Sequence, residues 1–171
     1  MLKPAEKRSK TIEGLKKFNT NFNKMDILLN EPEKEKWATF DTSTFPVVKV
    51  KMNKEIKSDA EFQGFLDDWE KLYERNEKFV LFFDTTDVGF VSMKYAIRMR
   101  SFVRKLKKEY PENLERSLIK VDSSWVKFLL RIIFTFERPV ADVYVHSDNE
   151  EVVNFNIENN KKLIGVTRYR K

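Results

Sequence analysis

Acidic side chains follow three of the apolar runs that the sequence predicts to be strands. Asp84 and Asp87 come after FVLFF, Asp122 follows LIKV, and Asp148 lies just beyond ADVYVH. A group of carboxylates at one sheet edge would bind a hard cation, which prefers oxygen ligands. Aspartates at strand ends more often cap the helices and turns that follow. We therefore expect neither a metal site nor a cofactor.

Residue types that commonly catalyse reactions are scarce in this chain. It has no cysteine, which excludes thiol catalysis, disulfides and zinc–thiolate sites. Its one histidine, His146, has no evident serine or cysteine partner in the sequence, and no glycine-rich phosphate-binding loop is present. We expect a protein that is not an enzyme and that lies in the cytoplasm, with peripheral membrane association as a further expectation.

Basic residues are concentrated in two segments of a chain with a formal net charge of +6. Residues 94–108 contain seven bases and no acid, and residues 161–171 contain five bases and no acid. Such segments suit phosphate-bearing partners, although a solvated helix face carries the same kind of charge. The bases that we predict to bind anionic groups are Lys94, Arg98, Lys105 and Lys108.

One predicted helix has almost no polar face. From Trp125 to Phe136 nine of twelve side chains are apolar, and the three polar ones repeat every fourth residue. Such a helix is either enclosed by neighbouring elements or exposes an apolar patch to a partner, a lipid or a membrane surface. The predicted hydrophobic ligand or partner surface consists of Trp125, Phe128, Leu129, Ile132, Ile133 and Phe136. Nucleic acid ranks below these partners, because no helix-turn-helix or exposed aromatic platform accompanies the charge.

Strand and helix patterns alternate along most of the chain. Val48, Val50 and Met52 alternate with lysines, which predicts a strand with one wet face. The run FVLFF predicts a strand buried on both faces. The helices that we predict cover residues 59–76, 92–110, 125–136 and 150–157. The remaining strands cover 118–121 and 141–145, and 163–166 is either a last strand or a docked tail.

This alternation predicts an α/β fold, with helices packed on a mostly parallel sheet of about four to five strands. We assign residues 45–171 to this domain. Residues 1–44 are rich in Lys and Asn and form a predicted N-terminal basic extension or docking arm. Phe18, Phe22 and Met25 recur in it at helical spacing.

Residues 79–157 resemble the core of the CRAL-TRIO lipid-binding domain. FVLFFDTTDVGFVSMKYA is similar to that family's strand, acidic turn and helix start, and KEYPENLERSLIKVDSSW to its helix end, strand and turn. FLLRIIFTFERPVADVYVHSDNEEVVNF resembles its mobile apolar helix, next strand and short helix. The family usually has a proline where Ser123 and Ser124 stand and a larger helical region before the domain. The resemblance implies a non-catalytic domain that binds a lipid or another hydrophobic ligand, with the helix from Trp125 as its gate.

The strand FVLFFD and the helix after it are also similar to the STAS family of anti-sigma antagonists. That resemblance implies a module for protein–protein interaction or structural assembly, often switched by serine phosphorylation in a motif like D-S-S-G. Val91–Lys94 does not reproduce the motif, and Asp122-Ser123-Ser124 lies one βα unit too late to carry the switch over. An interaction or assembly module is thus the alternative function.

Overall fold

A computed structural model describes residues 36–171. The helical spacing predicted in the N-terminal arm lies outside these residues. No helix in the described part is both long enough and apolar enough to cross a membrane.

A single six-stranded sheet organises the domain, and its strands lie side by side in sequence order. The strands are β1 (Ala38–Asp41), β2 (Val47–Met52), β3 (Phe79–Asp84), β4 (Leu114–Lys120), β5 (Asp142–His146) and β6 (Thr167–Tyr169). β2 to β5 are parallel, and the two edge strands are antiparallel to their neighbours. The predicted α/β class with a mostly parallel sheet is confirmed.

Four helices connect the strands. They are α1 (Asp59–Lys71), which a 3₁₀ turn extends to Arg75, α2 (Met93–Glu109), α3 (Ser124–Phe136) and α4 (Glu150–Glu158). Side chains of the residues just before three of them accept backbone hydrogen bonds at the first turn: Ser58 from Glu61, Ser123 from Val126, and Asn149 from Glu151 and Val152. Such caps satisfy N–H groups that have no partner within the helix.

The two faces of the sheet are covered unequally. Crossovers between parallel strands are right-handed, so a sheet built in sequence order receives α1, α2 and α3 on the same face. These helices and that face form the main core, whereas Val153 of α4 packs on the other face against Val80, Phe82, Leu118 and Tyr144. The uninterrupted apolar run of β3 follows from this, because its side chains are buried alternately on both faces.

Two edge strands differ from the sequence prediction. β1 lies within residues 1–44, which we predicted to be an extension, and its pairing with β2 makes it part of the sheet. Ala38 and Phe40 alternate with the exposed Thr39 and Asp41, but a run of four residues is too short for this alternation to predict a strand. β6 begins after residues 163–166, and Leu163 and Val166 pack on the core of the α4 face, which agrees with the docked-tail alternative for this segment.

The core between the sheet and α4, which includes Leu118 and Val153, makes a testable contribution to stability. Leu118 is fully buried beneath α4, so Leu118→Ala removes apolar contacts and leaves a cavity. We expect its free energy of unfolding in urea to fall by about 2–5 kcal/mol. Ile164→Ala, at an exposed position, is the control and should change stability by less than about 0.5 kcal/mol. Equal losses would contradict the packing described here.

Candidate ligand-binding site

An apolar cavity of about 120 Å³ lies between the sheet and α1, α2 and α3. Every side chain that lines it is buried or half-buried, so it belongs to the interior of the domain. The lining residues are Trp37, Met52, Phe62, Phe65, Trp69, Phe83, Thr85, Val88, Val91, Tyr95, Ala96, Met99, Val103, Ile119, Val126, Leu129, Leu130, Ile133 and Phe134. The cavity therefore offers an apolar environment to any group that enters it.

Polar atoms around the cavity are few, and two have no protein partner. The Thr85 hydroxyl donates to the Lys120 carbonyl at 2.7 Å, and the Tyr95 hydroxyl donates to Asp59 at 2.8 Å. The indole N–H groups of Trp37 and Trp69 have no hydrogen-bond acceptor within the described residues. Both N–H groups are buried and add no polar surface to the cavity, so its accessible lining is apolar.

Helix α3 supplies one wall of the cavity. Val126, Leu129 and Ile133 are buried on its inner face and line the cavity. Two residues of the predicted hydrophobic surface, Leu129 and Ile133, thus face the interior of the domain and not solvent. The sequence analysis did not identify the cavity residues contributed by α1 and α2.

The other four residues of the predicted hydrophobic surface form an outer stripe on α3, which consists of Trp125, Phe128, Ile132 and Phe136. Trp125 and Ile132 are half-buried, Phe128 is 36% exposed, and Phe136 is 65% exposed. Phe90, in the loop before α2, is 76% exposed and stacks on Trp125 with ring centroids 5.3 Å apart. Helix α3 is therefore apolar both towards the core and towards solvent.

Three of the four bases predicted to bind anionic groups hold α1 and α2 together. Lys94 pairs with Asp59 at 2.7 Å, and Lys105 pairs with Glu70 at 2.5 Å. These carboxylates raise the pKa of both lysines. Arg98 donates to the side-chain oxygen of Gln63 at 2.8 Å and also lies near Asp59. The binding of anionic groups by this set stays a prediction.

Other bases lie beside the outer stripe without an acidic partner. Arg131 lies over the Phe128 ring at 6.0 Å, and Arg100 lies over the Phe136 ring at 5.4 Å. These two arginines and Lys127 form no ion pair within the described part of the chain. The polar stripe that contains Lys127 and Arg131 is visible in the sequence, but anion binding was predicted for α2 instead.

The two carboxylates that follow β3 are neutralised within the domain. Lys51 of β2 binds Asp84 at 3.0 Å and Asp87 at 2.7 Å. Asp84 also accepts hydrogen bonds from the Thr86 backbone N–H and hydroxyl. Burial raises the pKa of Asp84, but the bonds from Thr86 and Lys51 outweigh burial and lower this pKa to about 2. Between residues 36 and 171 no three metal-ligating side chains are grouped to hold a metal ion.

No family model matches the chain, and no curated protein matches it. The CRAL-TRIO and STAS resemblances therefore stay predictions.

The carboxyl cluster gives a pH-dependent prediction. Because the pKa of Asp84 falls from its ordinary 3.8 to about 2 on folding, its stabilisation is complete above pH 3.8 and is lost as pH falls towards 2. At neutral pH, Asp84→Asn should lower the free energy of unfolding by about 0.5–1 kcal/mol, the range for solvent-screened pairs. The difference from wild type should disappear near pH 2 in urea titrations. A difference that stays constant down to pH 2 would contradict this role of the carboxylate.

Proposed function

We propose that the domain binds a hydrophobic small molecule, or the end of an acyl chain, in the cavity beneath α3, and that it does so without catalysis. The observation that supports this best is an apolar cavity lined by buried and half-buried side chains from three helices and the sheet. Protein interiors are close-packed, so a hollow of this size is uncommon without a role.

The volume limits what the cavity can hold. An engineered apolar cavity of about 150 Å³ in another protein stays dry and binds benzene, whereas pockets for drug-sized molecules measure about 300–1,000 Å³. At about 120 Å³, this cavity admits a ring or a short acyl segment. A longer molecule would have to displace side chains or extend out of the domain. The proposed ligand therefore has an apolar end no larger than a ring or a short acyl segment.

The lining favours apolar groups. The Trp37 ring packs edge-to-face against Phe65 with centroids 5.0 Å apart. Its indole N–H, like that of Trp69, is buried and adds no polar surface to the cavity. We therefore expect the end of the ligand that enters the cavity to be a hydrocarbon.

Helix α3 is the wall best suited to open. Among the described residues, the helix itself forms no ion pair, and most of its contacts with the rest of the domain are apolar. Its ends are held by the Trp125 indole, which donates to the Val91 carbonyl at 3.1 Å, and by Glu137, which binds Arg104 at 2.8 Å. In contrast, ion pairs join α1 to α2 along their length. Apolar contacts are not directional, so α3 can shift with less loss of specific bonds.

The outer stripe supports an approach to an anionic membrane surface. Exposed aromatic rings with unpaired bases beside them are typical of proteins that lie at the lipid–water interface, and each base near anionic lipid contributes about 1 kcal/mol. Arg100, Lys127 and Arg131 occupy such positions. The alternative, an interaction or assembly module, would use the same apolar residues against a protein.

Filling the cavity tests ligand binding. Ala96 lines the cavity, so Ala96→Leu should occupy part of it and weaken binding of a fluorescent fatty acid by at least about tenfold. The control is Ala141→Leu, the same change at a buried alanine outside the cavity. The control should lower stability by about 1–3 kcal/mol through overpacking and leave the affinity of the folded protein unchanged.

Two results would contradict the cavity proposal. The first is that wild-type protein binds no fatty acid and that organic extraction releases no hydrophobic molecule from it. The cavity would then have no ligand of the proposed kind. Binding that Ala96→Leu leaves unchanged would place the ligand elsewhere.

A second variant tests the outer stripe. Phe136→Ser removes an exposed ring from the outer stripe. We expect this variant to bind vesicles rich in phosphatidylserine about tenfold more weakly than wild-type protein does. Phe155→Ser is the matched control, because Phe155 is 52% exposed on α4 and also lies beneath a base, Lys161. Equal retention of both variants on vesicles would count against a membrane role for α3. Light scattering that shows self-association lost with Phe136→Ser would support the assembly alternative.

A further inference from the structure

Two strands, β1 and β6, form the edges of the sheet, and each leaves one side without a neighbouring strand in the described part of the chain. The backbone N–H and C=O groups on such a side can bond an extended segment of another chain, which then adds a strand to the sheet. β6 consists of Thr167, Arg168 and Tyr169 and pairs with β5 on its other side. The side chains beside each edge decide which kind of segment fits it.

A surface groove of about 440 Å³ lies between α3 and the strands β5 and β6. Thr167 and Tyr169 line it from β6, and Lys127 and Arg131 line it from α3. Successive side chains of a strand point to opposite faces of the sheet, so every second side chain of a segment added beside β6 would point to the face that carries α3. Such a segment would bring those side chains towards the two bases.

The two edges differ in the charge beside them. Lys127 and Arg131 form no ion pair in the described part of the chain, and no acidic residue is among the residues that line their groove. A groove of about 190 Å³ between β1 and α1 contains Lys36 and Lys71, but both lysines bind Asp68, at 2.9 and 2.8 Å. The edge at β6 therefore favours an acidic partner, whereas the edge at β1 favours neither sign of charge.

We propose that β6 and the groove beside it bind an acidic peptide segment in extended conformation, with acidic residues at alternate positions. Lys127 and Arg131 are four residues apart on α3, which separates them by about 6 Å along the helix. Alternate residues of an extended segment are about 7 Å apart, so two acids separated by one residue can reach both bases at once. A nucleic-acid strand would share the negative charge, but it has no backbone amides that could continue the sheet. The free edge beside the two bases therefore favours a peptide.

Two fluorescein-labelled peptides test the spacing of the acids. The first is an eight-residue threonine peptide with Glu at its third and fifth positions. The second has Glu at its third and fourth positions, so its acids point to opposite faces when the peptide is extended. Wild-type protein should bind the first peptide in a saturable manner, measured by fluorescence anisotropy. It should bind the second about two- to fivefold more weakly, because only one of its acids can reach the bases.

Charge-matched variants test the two bases. Lys127→Gln combined with Arg131→Gln should weaken binding of the first peptide by about three- to tenfold and remove the difference between the two peptides. The matched control is Lys54→Gln combined with Lys78→Gln, which removes the same charge. Both of these lysines are exposed and lie outside the groove, so the control should bind like wild type.

Amide hydrogen exchange, measured by NMR, tests the pairing with β6. When the first peptide saturates the protein, at least one backbone N–H of β6 should exchange at least about tenfold more slowly, because a new inter-strand hydrogen bond protects it. The N–H groups of β1 are the control, since the groove beside that edge lacks unpaired bases. Their exchange should not change.

Equal affinity for the two peptides, an affinity that the Lys127 and Arg131 double variant retains, or unchanged exchange in β6 would each overturn the proposal. Wild-type protein that binds a single-stranded oligonucleotide through these two bases, but neither peptide, would assign the bases to nucleic acid and would overturn it as well. Peptide binding is measured without fatty acid or vesicles, so its failure leaves the proposals for the cavity and the outer stripe standing.

Discussion

The right-handed crossovers between consecutive strands place α1, α2 and α3 on one face of the sheet, and the other features of the domain follow from this crowding. The pairs Asp59–Lys94 and Glu70–Lys105 join α1 to α2. Aromatic side chains fill most of the space beneath them, for example Phe62, whose ring lies 4.6 Å from that of Tyr95. Rings of this size do not fill the space completely under three helices, and the apolar cavity is what remains.

Helix α3 combines three surfaces that a shorter or more polar helix would not carry. Its inner face, which includes Leu129 and Ile133, closes the cavity, and its outer stripe exposes Phe136. Its narrow polar side carries Lys127 and Arg131, which line a surface groove of about 440 Å³ beside β5 and β6.

Much of the fold could be predicted from periodicity, because helices and buried strands bury their side chains with fixed spacing. The spacing of α3 also indicated an outer apolar stripe. The cavity could not be predicted from the sequence. Its volume is the small difference between the space enclosed beneath the three helices and the volume of the side chains that fill this space, and those side chains are distant from one another in sequence. The pairing of Lys94 and Lys105 with acids of α1 could not be predicted either, because it depends on how the two helices pack. Phe90 lies in a loop, where no periodicity identifies an exposed ring.

Intermolecular NOEs between a bound medium-chain fatty acid and the methyl groups of the protein test the account most directly. The account predicts NOEs from the acyl chain to Met99, Leu129 and Ile133, which line the cavity from two helices. Ile97 and Ile132, which do not line it, provide the comparison, and Ile97 is 57% exposed on α2. NOEs confined to those two isoleucines, with none to the cavity methyl groups, would show that the ligand binds outside the core and would contradict the account.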